Sequence, residues 1–372
     1  MKILEVVKLF YPPELGGVEV FTAEICRELS KNHQITALCA AHEPESRVDH
    51  YNHYAVYRAA SICRVFSTAI APGAGALLRT FAGQSDVIHF HMPNPVFNLA
   101  MFPHFPDVPV VVHWHSDIVR QWYLMPLYRP LQDWLLRRAS TIVATSPAYM
   151  ESSTDLRRFH DKCVAVPLGI NPDKFIENPE MEKAIRSKYG NRPIIFSLGR
   201  LIPYKGYPHL VRAAKRLDAN VLIAGEGWMR PELERLILEE GVSDKVHLLG
   251  RVEQKDVAAF YRACDVFVLP SITRNEAFGI VQMEAMYFGK PVVCTSIPGS
   301  GTAWVNQTGV TGIVVPPGDE SALAGALNEL CTNQSMRDDF GRSARRRFDE
   351  QFHISRTGAA LTGLFKRAAG KV

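Results

Sequence analysis

Pro193-Ile194-Ile195-Phe196-Ser197-Leu198-Gly199-Arg200-Leu201-Ile202-Pro203-Tyr204-Lys205-Gly206 reads as a strand, a loop carrying two cations, and the approach to a helix. The apolar run shows little alternation, the pattern of a parallel strand covered on both faces. The segment after it places Leu210, Ala213, Ala214 and Leu217 on one helical stripe. The same alternation continues downstream, with strands expected at Asn220–Ala224, Val246–Gly250, Asp265–Leu269, Pro291–Cys294 and Gly312–Val315. Upstream it yields Ile3–Val7, Ile35–Ala40, Val87–His91, Val108–His113, Thr141–Thr145 and Cys163–Pro167, with a stripe of Val18, Phe21, Ile25 and Leu29 between the first two. Strand–helix alternation that runs twice predicts two doubly wound, Rossmann-like α/β domains. The break is expected near Gly169–Asn191, where Pro172, Pro179 and a charged run precede a fresh strand. Ligands of such sheets bind at the C-terminal ends of strands, so two sheets are expected to face each other across a cleft lined by those ends.

Length and composition agree with two domains. A chain of 372 residues, 47% apolar and 22% charged, is long enough for two cores and has no composition of bulk disorder. The net charge of +4 arises in the second half, since residues 1–171 carry equal numbers of acidic and basic side chains. That excess is too mild for a nucleic-acid partner. The seven cysteines include no C-x-x-C pair, which points to buried thiols in a reducing cytosol. The first apolar run is broken by Glu5 and Lys8 and reads as a strand, not a signal peptide. No stretch approaches the ~18 apolar residues of a membrane span. A cytoplasmic protein is expected, in peripheral contact at most with the inner face of the membrane.

Five motifs follow strands and carry candidate chemistry. Arg200 and Lys205 beside a helix N-terminus suit a phosphate; two solvated loop charges are the plain alternative. Glu276 and Glu284 flank Ala277-Phe278-Gly279-Ile280-Val281-Gln282-Met283, and Glu284 falls inside a helix that is apolar almost all round. A carboxylate there needs a partner, either a ribose diol or an internal Arg, and Glu276 serves either a ligand or a helix cap. Gly16-Gly17, within Tyr11-Pro12-Pro13-Glu14-Leu15-Gly16-Gly17-Val18-Glu19, allows close approach of a ligand or a positive φ, or simply makes a tight turn. No G-x-G-x-x-G occurs, which weighs against a nicotinamide dehydrogenase. His115, in Val111-Val112-His113-Trp114-His115-Ser116-Asp117, is placed to meet a sugar hydroxyl. With His89 and His91 it lies on two strands, without H-x-x-x-H or a nearby Cys, a poor pattern for metal. Gly225-Glu226-Gly227 reads as a close-approach loop near a donor.

Together these residues resemble the family 4 retaining glycosyltransferases of the GT-B fold, over nearly the whole chain. The resemblance rests on Gly16-Gly17-Val18-Glu19, His115, the Arg200/Lys205 pair, Gly225-Glu226-Gly227, the Glu276/Glu284 pair with Phe278-Gly279, and Gly312 to Pro317 with Gly318-Asp319. His113-Trp114-His115-Ser116-Asp117-Ile118-Val119-Arg120-Gln121 looks most like the bacterial branch that builds O-antigen and exopolysaccharide, often with mannose. The resemblance implies a catalytic set of His115, Arg200, Lys205 and Glu276. Arg200 and Lys205 would clamp the donor diphosphate, Glu284 the ribose, and Glu276 with Phe278 and Gly279 the donor sugar. His115 would contact that sugar near its anomeric centre. Gly16, Gly17, Gly225, Glu226, Val252 and Ile280 would complete the donor-binding set. The implied domains are residues 1–170 for the acceptor, 190–352 for the nucleotide sugar, and a helix over 353–372 returning to the first domain. The expected partners are a nucleotide sugar, with GDP-mannose first, and a saccharide or lipid-linked saccharide. No Asp-x-Asp motif is present, so neither metal nor other cofactor is expected. Ile297-Pro298-Gly299-Ser300-Gly301-Thr302 departs from the Gly-Gly or Gly-Thr turn of many relatives. A transferase of glucose, N-acetylglucosamine or rhamnose, a nucleotide-sugar epimerase or phosphorylase, and a non-catalytic binding subunit are the competing readings. Free sugar from donor alone would mark an epimerase; donor binding without turnover would mark a binding subunit.

Overall fold

Two parallel sheets organise the chain, each with helices packed on it. The computed structural model describes residues 1–13, 16–51, 53–65, 68–102, 105–118 and 121–371. Glu14, Leu15, Val119 and Arg120 of the quoted motifs lie outside them. One compact unit comprises Met1–Gly169 with Ile354–Val372, the other Ile170–His353.

The first sheet contains β1 (Lys2–Val6), β2 (Gln34–Ala40), β3 (Arg47–Tyr51), β4 (Tyr54–Ala59), β7 (Val87–Met92), β8 (Val110–Trp114), β9 (Thr141–Ala144) and β10 (Cys163–Ala165). A separate small hairpin pairs β5 (Cys63–Val65) with β6 (Thr68–Ile70). The order is β10-β9-β8-β7-β1-β2-β4-β3, parallel except for β3 against β4. Central strands β7 and β8 are buried along their whole length, as their uninterrupted apolar runs require. The hairpins were not expected from the sequence. β3 is an exposed, charged edge, and β4 hides Arg58 among its inward-facing residues, so neither has an apolar signature.

The second sheet contains β11 (Ile194–Leu198), β12 (Asn220–Ala224), β13 (Val246–Gly250), β14 (Val266–Leu269), β15 (Val292–Thr295) and β16 (Gly312–Val315). All are parallel, in the order β13-β12-β11-β14-β15-β16. This is the Rossmann order 3-2-1-4-5-6, which puts a topological switch point between β11 and β14. The first sheet has its own between β1 and β7. Part of the stretch read as a linker is a helix, Pro179–Tyr189, capped by the side chain of Asn178 and carrying Pro at its first position. It packs on the helix Gln254–Ala263 inside the second unit. The last helix, Ile354–Ala368, packs in the first unit against the helix Gly17–Leu29 and β8.

Among the described residues, no helix is long and apolar enough to cross a membrane. No cysteine is in a disulfide; five are buried, but Cys163 is half-buried and Cys63 exposed, a correction to the expectation of buried thiols throughout.

Candidate active site

The β11/β14 switch point is built from two loops. One runs from Gly199 to Gly206 after β11, the other from Pro270 to Gly279 after β14. Ile272 N–H donates to the Tyr204 carbonyl at 2.8 Å, tying the loops together. Gly206, at φ 70°, lets its backbone press on the Pro270 carbonyl, where any Cβ would collide.

These loops bring Lys205 and Glu276 together. Both are 8% exposed, and Lys205 Nζ lies 2.6 Å from Glu276 Oε2, which also accepts from Ser271 Oγ at 2.9 Å. Burial alone would lower the Lys205 pKa; the charges of Glu276, Tyr207 and Tyr204 outweigh it and raise it. Lys205 is therefore a cation already engaged by a carboxylate. Arg200 is exposed, and no ion pair among the described residues holds it. Position in sequence made the two look alike; burial makes them different. The helix nearest them, Tyr207–Ala213, is short, and the 3₁₀ turn Pro203–Lys205 precedes it.

The helix Ile280–Tyr287 begins at Gly279, whose φ of 80° and crowding by Leu269 and Gln282 leave no place for a side chain. Of its first-turn amides, Gln282 N–H is taken by the Gly279 carbonyl at 2.9 Å, and those of Ile280 and Val281 are left for ligand oxygens. Ser300 and Gly301, in the loop after β15, hold this arrangement from below. Ser300 Oγ donates to the Glu276 carbonyl, and Gly301 N–H to the Ala277 carbonyl at 2.8 Å. The departure from the relatives' turn at Ile297–Thr302 thus serves as scaffolding for the Glu276 loop.

Glu284 is also 8% exposed, but it is not alone. Lys174 Nζ lies 2.8 Å from Oε1, and Tyr261 donates its hydroxyl to Oε2 at 2.8 Å. Of the two partners the sequence offered, a ribose diol or an internal Arg, the internal one is present as a lysine from the stretch read as linker, together with a tyrosine. Sequence spacing gave no sign of either contact, each being far away in the chain. Gly225 and Gly227 differ from expectation as well. Gly225 has φ 139°, a Cβ there would strike the Gly199 carbonyl, and one on Gly227 the Leu201 backbone. Their close approach is to the Arg200 loop itself, which Gly199 N–H→Ala224 O and Leu201 N–H→Glu226 O bonds of 2.9 Å hold in place. The Glu226 side chain is exposed, 3.5 Å from Arg230. Val252 is half-buried just past β13 and Phe278 is buried.

In the first unit, Gly16 caps the helix Gly17–Leu29 with φ −94°, so the expectation of a positive φ is corrected. The preceding loop is held by Arg58, a residue the sequence reading missed. Buried Arg58 pairs with Asp49 at 2.6 Å and donates to the carbonyls of Pro12 at 2.6 Å and Phe10 at 3.3 Å.

His115, 3% exposed, follows β8 and belongs to a sealed cluster. The registers Glu5↔His89 and His91↔His113, with a side-chain period of two, put Glu5, His89, His91, His113 and His115 on one face of the sheet. Glu5 Oε2 is 2.8 Å from both His89 Nδ1 and His91 Nε2. His91 Nδ1 is 2.8 Å from His115 Nε2, and His89 Nε2 is 3.2 Å from His113 Nδ1. Phe21 and Phe365 cover the imidazoles edge-on. Burial would raise the Glu5 pKa, but charge and hydrogen bonds from His89 and His91 bring it down to about 2. Burial lowers His91 to about 4, and His113 and His115 well below 6.5. Glu5 was missed although two H-x-H repeats on adjacent strands signalled a shared face.

Ligand nitrogens and oxygens in two subsets, His91/His113/His115 and Glu5/His89/His91, lie within 4.8 Å of one another. In the first subset the His91 and His115 rings are within 5° of parallel and those of His113 and His115 within 8°. The 2.8 Å between His91 and His115 is a hydrogen bond, shorter than the ~3.3 Å that two nitrogens keep around a tetrahedral zinc.

Comparison with known proteins agrees with this arrangement. Residues 179–347 match the family described as glycosyl transferases group 1, and residues 15–174 match glycosyltransferase family 4. The chain is 33% identical over 368 residues to O-antigen chain mannosyltransferase C of Escherichia coli, covering 98% of each protein. It is 32% identical to D-rhamnosyltransferase WbpZ of Pseudomonas aeruginosa, over 95% of this chain and 92% of that one. Among solved structures, sucrose-phosphate synthase from Thermosynechococcus elongatus superposes with a TM-score of 0.81 at 20% identity, covering 100% of both chains. Anabaena HepE in complex with UDP gives 0.79 at 21%, over 99% of this chain and 100% of that one. The fold is GT-B. With identity of this order along nearly its full length, the chain belongs to glycosyltransferase family 4 and is an enzyme of that class.

Proposed function

We propose that the enzyme transfers mannose from GDP-mannose, with retention of configuration, to a saccharide or lipid-linked saccharide during synthesis of a cell-surface polysaccharide. The observation that supports this most is the exposed Arg200 beside the buried Lys205–Glu276 pair, at the switch point where such sheets bind nucleotides. As the glycosidic bond breaks, the sugar gains oxocarbenium character and the diphosphate gains negative charge. Arg200 and Lys205 stabilise that charge in place of a metal, which the missing Asp-x-Asp motif makes the natural reading. Lys205 also anchors Glu276 toward the sugar hydroxyls. Each oxygen of Glu284 uses one lone pair on Lys174 or Tyr261 and keeps another for ribose. The leaving phosphate takes the acceptor's proton in a front-face attack. Within this reading His115 meets the donor sugar, and residues 1–170 serve the acceptor.

Mannose and the O-antigen setting come from the Escherichia coli relative, while the Pseudomonas relative favours D-rhamnose as the second donor sugar. Trp122 and Leu127, 72% and 85% exposed, flank exposed Tyr123 and suit the interface of a membrane bearing a lipid-linked acceptor. A panel of nucleotide sugars with and without acceptor tests the reading. Turnover of GDP-mannose with acceptor, an α-linked product and full activity in EDTA are expected. Turnover restricted to another donor, or a β-linked product, would overturn the donor or the stereochemistry. Loss of activity in EDTA restored by Mg²⁺ would overturn metal independence. Sedimentation with anionic vesicles, lost in Trp122→Ser, tests the membrane contact.

A further inference from the structure

We propose that Glu5 is a positioning residue that acts through His91 to fix the tautomer of His115. The proposal rests on the reading that His115 meets the donor sugar. Its geometry is a line of two hydrogen bonds, Glu5 Oε2 to His91 Nε2 and His91 Nδ1 to His115 Nε2, both 2.8 Å. Proton bookkeeping gives that line a direction. An ionised carboxylate only accepts, so the proton of His91 sits on Nε2. A neutral His91 then has a lone pair on Nδ1, which accepts the Nε2–H of His115. His115 is left with a bare Nδ1, and that buried atom has no partner among the described residues. An unsatisfied buried acceptor is costly unless something fills it, and a ligand hydroxyl is the chemistry that fits.

The surroundings keep the line in this state. Cys26 is the other titratable group facing Glu5; burial, and then the Glu5 charge, raise its thiol pKa, so it stays neutral. The second branch, through His89 to His113, leaves His113 Nε2 likewise unpartnered. Phe21 packs edge-on against His115 and Phe365 against His89. A neutral His115 places no positive charge beside a sugar carbon that itself becomes positive, while a protonated one would oppose the transition state. Glu5 touches no ligand; its part is to decide which nitrogen of His115 is bare.

Long-range ¹H–¹⁵N correlation spectra of the histidine-labelled enzyme at pH 7 read the tautomer without turnover. His115 is expected as Nε2–H with an unprotonated Nδ1. Glu5→Leu removes the acceptor, frees His91 to donate from Nδ1, and reverses the His115 tautomer. Its kcat is expected to fall roughly ten- to a hundredfold with donor affinity nearly unchanged, the size of effect that partners behind ligating histidines have. Glu5→Gln, whose amide oxygen still accepts, should restore much of both. A wild-type His115 that is Nδ1–H or mixed overturns the proposal even if Glu5→Leu does not fold. So does a Glu5→Leu enzyme with the native spectrum and rate, or stoichiometric zinc in the purified protein. Full activity of His115→Ala sinks the sugar-contact reading instead, and leaves the tautomer measurement standing.

Discussion

At the β1/β7 end of the first sheet, four imidazoles and a carboxylate are sealed under two phenylalanines; at the β11/β14 end of the second, Lys205, Glu276 and Arg200 grade from buried to exposed. The two places are topologically equivalent, yet they meet burial in different ways. In the first, desolvation wins for His91, His113 and His115, which stay neutral and share protons along hydrogen bonds. In the second, the ion pair wins: the Glu276 carboxylate raises the Lys205 pKa against its burial. On the proposed mechanism, neutral imidazoles backed by an ionised carboxylate suit a carbon that turns positive, and cations suit a departing diphosphate.

Removing Lys205 should have the largest consequence. Lys205→Ala leaves Glu276 buried and unpaired, which costs about 3–5 kcal/mol of stability, and it removes a phosphate partner as well. Arg200→Ala should lower kcat roughly a hundred- to thousandfold with the melting temperature unchanged, since its guanidinium is exposed and no ion pair among the described residues holds it. Arg200→Lys should restore only part of the rate, because a point charge lacks the planar fork. Denaturant melts and steady-state kinetics on the three variants check this. Equal loss of stability in both alanine variants would contradict the distinction between a buried and an exposed cation.

The neutral cluster makes its own prediction on acidification. The folded pKa values of His91, His113 and His115 lie below 6.5, so the unfolded chain binds more protons between those values. Their contribution to stability is full above pH 6.5 and is lost as the pH falls toward 4, by up to ~1.4 kcal/mol per pH unit for each imidazole. Glu5 adds loss only in the lower window, from about 4.5 to about 2. Unfolding free energies from pH 7.5 to 5 should show the slope, reduced in His115→Gln. A flat profile would mean that the imidazoles are not buried as neutral groups.

Glu284→Ala should weaken binding of the nucleoside diphosphate by about 1.5–3 kcal/mol, measured by calorimetry, and removes the ion pair with Lys174. Lys174→Met separates the two consequences: lost stability with retained nucleotide affinity is expected if Glu284 holds ribose. Gly225→Ala meets the Gly199 carbonyl and should disturb the Arg200 loop, whereas the smallest effect is expected for Gly16→Ala, which meets only the flexible end of Glu19 and should change stability little.

Apolar runs and their spacing were enough to read two Rossmann-like units from the sequence, because a parallel strand buried on both faces must be apolar along its length. The loops after β11 and β14 were legible for the same reason, since residues beyond such strands fall at the ligand-binding edge. The hairpin of β3 and β4 was not, because a charged edge and a buried arginine mask the pattern. Which charge pairs with which was not legible either. Lys205 with Glu276, Lys174 with Glu284 and Glu5 with His91 are separated by 71, 110 and 86 residues, and only the sheet registers and loop packing bring them together. One-dimensional order sets what each strand end carries; three-dimensional packing sets its burial, which pairs one lysine with a carboxylate, leaves one arginine exposed and encloses one histidine among imidazoles.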